Sequence, residues 1–161
     1  MKTKTAKDVM NTNVITVDAD MTVHELAGFF TEKMITGAPV VNGSGKLMGV
    51  VSVTDIIRND AQRVWIASQK HENEYYLHGW EDEFSSDEVN ELHLEEDEGL
   101  KVRDIMTPII FKVKENTAIS EMADMMINGR IHRLLVTKGS KVVGIVTTLD
   151  MLKTIREYTK I

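Results

Sequence analysis

Cysteine is absent from this chain. That one absence removes disulfide-stapled scaffolds, thiol nucleophiles, zinc ribbons and iron–sulfur centres together, and it fits a reducing compartment. Proline occurs only twice, while 42% of residues are hydrophobic and 27% charged, so disorder, collagen and mucin are excluded. No run of about 18 apolar residues exists, which leaves no readable membrane span. Met1 to Lys7 carries charge with no apolar segment behind it, so no secretory signal is readable either, and a cytoplasmic protein without a membrane partner is expected. What remains is sufficient for a core. A chain of 161 residues accommodates one compact domain or two very small ones, and a fold of this size buries roughly 70% of the surface its unfolded chain exposes.

The net charge of −6 argues against a nucleic-acid surface spread over the molecule. The average conceals a division. Between Asn59 and Leu100 thirteen acidic side chains face only Arg63 and Lys70, a net of −11, whereas the rest of the chain carries +5. A mildly basic body is interrupted by an acidic middle.

That body is a duplication. At a shift of 96, Asp8 and Met10 answer to Asp104 and Met106, Val17 to Val113, Glu25 to Glu121, Ala27 to Ala123, Val40 to Val136 and Gly43-Ser44 to Gly139-Ser140. Gly45 has no counterpart, after which the shift becomes 95. Lys46 then falls on Lys141, Gly49 on Gly144, Val51 on Val146 and Asp55 on Asp150.

Both copies carry one pattern. Val14–Val17 and Ile110–Val113 read as short strands preceded by turn residues. Val23, Leu26, Ala27, Phe30 and Met34 recur at helical spacing, as do Ile119, Met122, Ala123, Met126 and Ile127. Asp20 or Thr22 can cap the first helix, and Asn116 or Thr117 the second. Residues Pro39–Val41 and Leu134–Thr137 read as second strands. Turns at Asn42–Gly45 and Gly139-Ser140 then lead into third strands, Leu47–Val51 and Val142–Val146, as hairpins. Asp55 and Asp150 open the last helix of each copy. The expected fold is α+β: two βαββα repeats packed sheet to sheet about a pseudo-twofold axis, residues 1–58 and 101–161, with a helical or irregular acidic insert at 59–100. Packing of that kind creates two symmetry-related clefts.

The ordered set Asp-Val-Met or Asp-Ile-Met-Thr-Pro, Val-Ile-Thr-Val, Gly-Ala-Pro-Val-Val and Gly-x-x-Ser/Thr-x-x-Asp resembles a tandem pair of CBS domains, a Bateman module, here as a stand-alone protein. The resemblance covers about Lys7 to Arg58 and Val102 to Ile155. It implies a regulatory, energy-sensing module that is not an enzyme. Its clefts would take an adenosine-containing ligand, AMP, ADP or ATP ahead of NAD or S-adenosylmethionine, and it would pair as a homodimer and act on a regulated protein.

The residues can be read for that role independently. Ser52, Thr54 and Asp55 in one copy, and Thr147, Thr148 and Asp150 in the other, place hydroxyls just before a carboxylate at a strand-to-helix junction. A carboxylate can accept both hydroxyls of a ribose, and hydroxyls with free amides at a helix start suit a phosphate. Equally, Asp55 and Asp150 can be plain helix caps, and the two roles are compatible. Val14, Ile15 and Thr16 with Ala38 and Pro39 can form a flat slot for adenine, as can Ile110, Phe111 and Lys112 with Leu134 and Leu135; core packing is the other reading of these positions, and Thr36 with Gly37 would line the less basic cleft. The copies differ most at Ile131-His132-Arg133, aligned with Ile35-Thr36-Gly37. A similar Ile-His-Arg-Leu run occurs in the γ subunit of AMP-activated protein kinase. That resemblance implies that His132 and Arg133 meet the phosphate of the nucleotide held by Asp55; a surface ion pair and a solvent-facing histidine are the alternative.

In the insert, Asp60–Lys70 can extend the preceding helix. Trp65, Tyr75, Tyr76 and Trp80 are costly to expose, so they should cover the module or bind another chain. His71, His78 and His93 lie near acidic side chains, but their spacing fits no compact metal site. Met122, Met125 and Met126 suit either internal core or a dimer interface. An assembly adaptor whose acidic insert docks a basic partner, without any ligand, is the rival to the sensor reading. No nucleophile with a base and no phosphate-cradling glycine loop supports an enzyme.

Overall fold

Hydrophobic spacing of 3.6 residues and β-branched runs broken by glycine turns set the order of elements. A computed structural model describes residues 4–61, 74–77, 99–108 and 110–158. Along the chain these are α1 (Ala6–Val9), β1 (Val17–Asp18), α2 (Val23–Lys33), β2 (Gly37–Val41), β3 (Leu47–Ser52), α3 (Val53–Ala61), α4 (Glu74–Leu77), α5 (Val102–Ile105), β4 (Lys112–Lys114), α6 (Ile119–Gly129), β5 (Arg133–Lys138), β6 (Lys141–Thr147) and α7 (Thr148–Tyr158). The class is α+β with two mixed three-stranded sheets, β1-β2-β3 and β4-β5-β6. In each, the first pair is parallel (Val17 beside Val40, Val113 beside Val136) and the second an antiparallel hairpin. Both hairpins shift register at the same place, after Val40 and after Val136.

The described elements form two compact units, residues 15–109 and residues 1–14 with 110–161. Each unit takes its leading short helix from elsewhere in the chain. In the first, the Val102 and Arg103 amides donate to the carbonyls of Met21 and Ala19, the Val23 amide donates to Leu100, and Thr107 and Val50 exchange both backbone bonds at 2.8 and 2.9 Å. The second repeats this with its equivalents: Ala6 and Lys7 donate to Thr117 and Glu115, Ile119 donates to Lys4, and Asn11 and Ile145 exchange bonds at 2.9 and 3.0 Å. Glycine admits both crossings. A Cβ on Gly49 would stand 2.5 Å from the Thr107 carbonyl oxygen, and one on Gly144 would collide with the Met10 thioether.

Helix α2 starts as its sequence suggests. The Glu25 carboxylate accepts the Thr22 amide at 2.8 Å and its hydroxyl at 2.9 Å, while the Glu25 amide donates to the Thr22 hydroxyl. These bonds hold the Glu25 carboxyl below its usual 4.5. Val23, Leu26, Ala27 and Phe30 are buried on one face, and the core of this unit gathers them with Val17, Ala38, Val40, Val51, Ile56 and Val102.

Several local expectations change. Strands begin at Val17 and Lys112 rather than Val14 and Ile110, because β2 and β5 run alongside only from there. Met34 and Ile127 leave the apolar stripes: Met34 is the left-handed C-cap of α2 and 91% exposed, and Ile127, in the last turn of α6, is 73% exposed. Ala118, not Asn116 or Thr117, precedes α6, since the Thr117 hydroxyl accepts the Lys114 amide in the turn. Met122 and Met126 are buried. The continuation of α3 beyond Ala61, Trp65, Trp80 and the three insert histidines lie outside the described residues.

Candidate functional site

In each unit the hairpin's last strand turns directly into a helix. Ser52 ends β3 and Thr147 ends β6; the aspartates lie three residues on, inside the first turn of α3 and α7. They are therefore third helical residues, and Ser52 and Thr147 hold the cap position expected for the aspartates. The Ser52 amide and hydroxyl both donate to Asp55 Oδ2, at 2.7 and 2.9 Å. The Thr147 amide and hydroxyl do the same to Asp150 Oδ2, at 2.9 and 2.7 Å. Asp8 and Asp104 take the same place in α1 and α5, so capping is one function of this residue type throughout the chain.

Two things set Asp55 and Asp150 apart from those other acids. They are more enclosed: the Asp150 side chain is 16% exposed, while Asp8 and Asp104 lie on the surface. They also head long helices, of 9 and 11 residues, whose amino ends favour anionic groups.

The strand beginnings complete each corner. The Val53 amide donates to the Thr36 carbonyl and the Thr148 amide to His132, and Gly37 and Arg133 are register partners of Ser52 and Thr147. Gly37, Ser52, Thr54 and Asp55 are thus brought together in one unit; His132, Arg133, Thr147, Thr148 and Asp150 come together in the other. The Thr54 hydroxyl is enclosed and has no hydrogen-bond partner among the described residues, an arrangement that costs about 1–3 kcal/mol unless something else fills it. Its counterpart is Leu149, 39% exposed, so the corners differ chemically. His132 is exposed and Arg133 half-buried with Nε enclosed.

Of the proposed adenine slot, Ala38 and Leu134 are fully buried, and Ala38 belongs to the core cluster. Pro39 is buried, Val14, Thr16, Ile110 and Phe111 are half-buried, and Ile15 is 40% exposed. The Phe111 carbonyl accepts the Leu135 amide at 3.1 Å. Two residues near the corners escaped the sequence reading of the site. Lys153 Nζ donates to Asp150 Oδ1 at 3.1 Å, and its i,i+3 spacing was the available signal. The Tyr75 ring of α4 occupies the space next to Gly37, which no local pattern announces.

Among the described residues no cluster of three metal-ligating side chains occurs, and no helix is long and apolar enough to cross a membrane. The family model of the CBS domain matches residues 6–61 and again 102–157. The chain is 30% identical over 155 residues to the uncharacterized protein MJ1426 of Methanocaldococcus jannaschii, covering 91% of this chain and 88% of that protein. It is 27% identical over 151 residues to the inosine-5'-monophosphate dehydrogenase of the same organism, spanning 93% of this chain but only 23% of that enzyme. Among solved structures, CBSX2 of Arabidopsis thaliana in complex with AMP is similar at a TM-score of 0.67, with 22% identity over 98% of this chain and 99% of that one. The CBS domain pair of MJ0100, in complex with 5'-methylthioadenosine and S-adenosyl-L-methionine, gives 0.65, with 20% identity over 98% and 100%. With the domain matched twice and both strand-to-helix corners repeated, the chain belongs to the CBS-domain family.

Proposed function

We propose that this CBS pair is a regulatory module that binds an adenosine-containing ligand and acts by binding rather than catalysis. The observation that carries the reading is the twin corner: an aspartate whose Oδ2 is fixed by the amide and hydroxyl of the residue three positions before it, so that its carboxylate is oriented before any diol arrives. The Thr54 hydroxyl beside Asp55, without a partner among the described residues, adds a group that a ligand would satisfy. The adenosine moiety shared by the ligands of CBSX2 and MJ0100 supports this ligand class, with AMP, ADP and ATP ahead of NAD and S-adenosylmethionine. Arg133 offers a planar cation for phosphate. The ligand would shift conformation or assembly only by its differential affinity for the two states.

Calorimetry with AMP, ATP, NAD and S-adenosylmethionine tests the proposal. Asp55→Asn and Asp150→Asn keep one acceptor for the cap but lose the charge. Each should weaken its own site by about 10- to 150-fold, the worth of one charged hydrogen bond of about 1.5–3 kcal/mol. Unchanged affinity in both variants rejects the placement. Silence with all four ligands favours the adaptor reading, for which the −11 charge of residues 59–100 is the supporting observation.

The proposal includes a homodimer in the cytoplasm as the working form. Leu152 and Ile155 of α7 are 60% and 58% exposed, with Leu149 beside them in sequence at 39%, an apolar stripe suited to a second copy. Leu152→Asp with Ile155→Asp should give a monomer in sedimentation; an unaltered dimer would place the interface elsewhere.

A further inference from the structure

The two copies treat one position in opposite ways. Where the second copy has Arg133, a long cation with its Nε enclosed, the first has Gly37, and the ring of Tyr75 takes the space a side chain would need. A Cβ on Gly37 would stand 2.8 Å from Tyr75 Cδ2, 3.2 Å from Cε2 and 3.0 Å from the Val51 carbonyl oxygen. Tyr75 comes from α4, in the acidic insert that the repeat pattern leaves unexplained. It is only 5% exposed, and the ring of Tyr76, fully buried, meets it edge-on with centroids 5.0 Å apart. A ring so enclosed has no open face on which a base could stack.

The place matters as much as the packing. Gly37 is the register partner of Ser52, whose amide and hydroxyl hold the Asp55 carboxylate, and the enclosed Thr54 hydroxyl lies between those two residues in sequence. Tyr75 therefore sits at the end of the sheet where the ligand-binding groups of this unit converge. We propose that Tyr75 is a built-in occupant of the Asp55 corner, and that a ligand enters this corner only by displacing α4. The inference rests on the ligand-binding reading above and adds a regulation to it: the insert competes with the ligand in the first unit.

An occupant seated about 90–99% of the time lowers the apparent affinity of its competitor by about 10- to 100-fold. The experiment is calorimetry of the full chain with AMP and with ATP, comparing wild type, Tyr75→Ala, Tyr75→Phe and the double variant Tyr75→Ala/Asp55→Asn. Tyr75→Ala should bind at least about 10-fold tighter, or gain a site that wild type lacks. The double variant should lose that gain, and Tyr75→Phe, which keeps the ring, should behave as wild type.

Equal or weaker binding by Tyr75→Ala, with wild-type binding still dependent on Asp55, overturns the occupant and leaves the ligand reading intact. Silence of both wild type and Tyr75→Ala overturns both. Binding by Tyr75→Ala alone upholds both and explains a silent wild type. Because Tyr75→Ala could lose its fold, amide hydrogen exchange on the unaltered chain gives a second test. Saturating AMP should accelerate exchange at residues 75–77, whereas slower or unchanged exchange there refutes displacement.

Discussion

Gly49→Ala examines the tie between α5's segment and its sheet, and its cost follows from the geometry. The added methyl would stand 2.5 Å from the Thr107 carbonyl oxygen and 3.2 Å from the Met106 sulfur. An ordinary contact needs almost 1 Å more, and the oxygen is backbone, so the segment itself must retreat. Retreat stretches the two bonds between Val50 and Thr107, now 2.9 and 2.8 Å. Two weakened hydrogen bonds at about 0.5–1.5 kcal/mol each, plus overpacking of about 1–3 kcal/mol, set against about 0.5–1 kcal/mol gained by replacing glycine in a strand, leave a loss of about 1–5 kcal/mol. For a chain of this size that lowers the melting temperature by about 2–20 °C.

Gly28→Ala is the internal control. Nothing among the described residues lies within 4 Å of its added methyl, inside α2, so it should stabilise by about 0.5–1 kcal/mol. Thermal and urea unfolding of both variants, each against wild type, gives the answer. A Gly49→Ala protein that melts with or above wild type would refute the close-approach account of this glycine.

Other consequences can be measured. Residues 1–61 expressed alone lack the segment at 100–108 whose backbone bonds close their sheet, and should show no cooperative melting as a monomer; a cooperative transition at low concentration would contradict the exchange of leading segments. Glu25 is ionised more readily when folded than its usual 4.5, so its contribution is full above that value and is lost as pH falls through the lowered one. Glu25→Gln should therefore flatten the acid limb of a plot of melting temperature against pH, and an unaltered limb would reject the capping assignment. Leu26→Ala, at a fully buried site, should cost about 2–5 kcal/mol, whereas Met34→Ala should stay within about 0.5 kcal/mol. Equal losses at the two would contradict the observed end of α2.

The hairpins and the long helices were legible because each is specified locally. Glycine turns at Asn42–Gly45 and Gly139-Ser140, and the spacing of Val23, Leu26, Ala27 and Phe30, need no distant partner to be read. Helices α1 and α5 escaped because four residues are too few for a periodic signal. Which sheet receives Met10 or Met106 is decided by long-range backbone pairing, to which composition is blind. Met34 was misread because a C-cap abandons helical geometry while still looking apolar. The corners were legible as a repeated hydroxyl-plus-acid pattern, yet not that Ser52 and Thr147 would cap while the acids point back to them. The glycine at position 37 could be read only once a tyrosine 38 residues away was seen resting on it.

The traded leading segments carry a further meaning for how such a chain holds together. A single repeat severed from its twin would own an arm without a socket and a socket without an arm, and two severed repeats could become whole only by lending arms to each other. Linkage within one polypeptide turns that bimolecular bargain into an intramolecular event. Dilution therefore cannot part an arm from its socket.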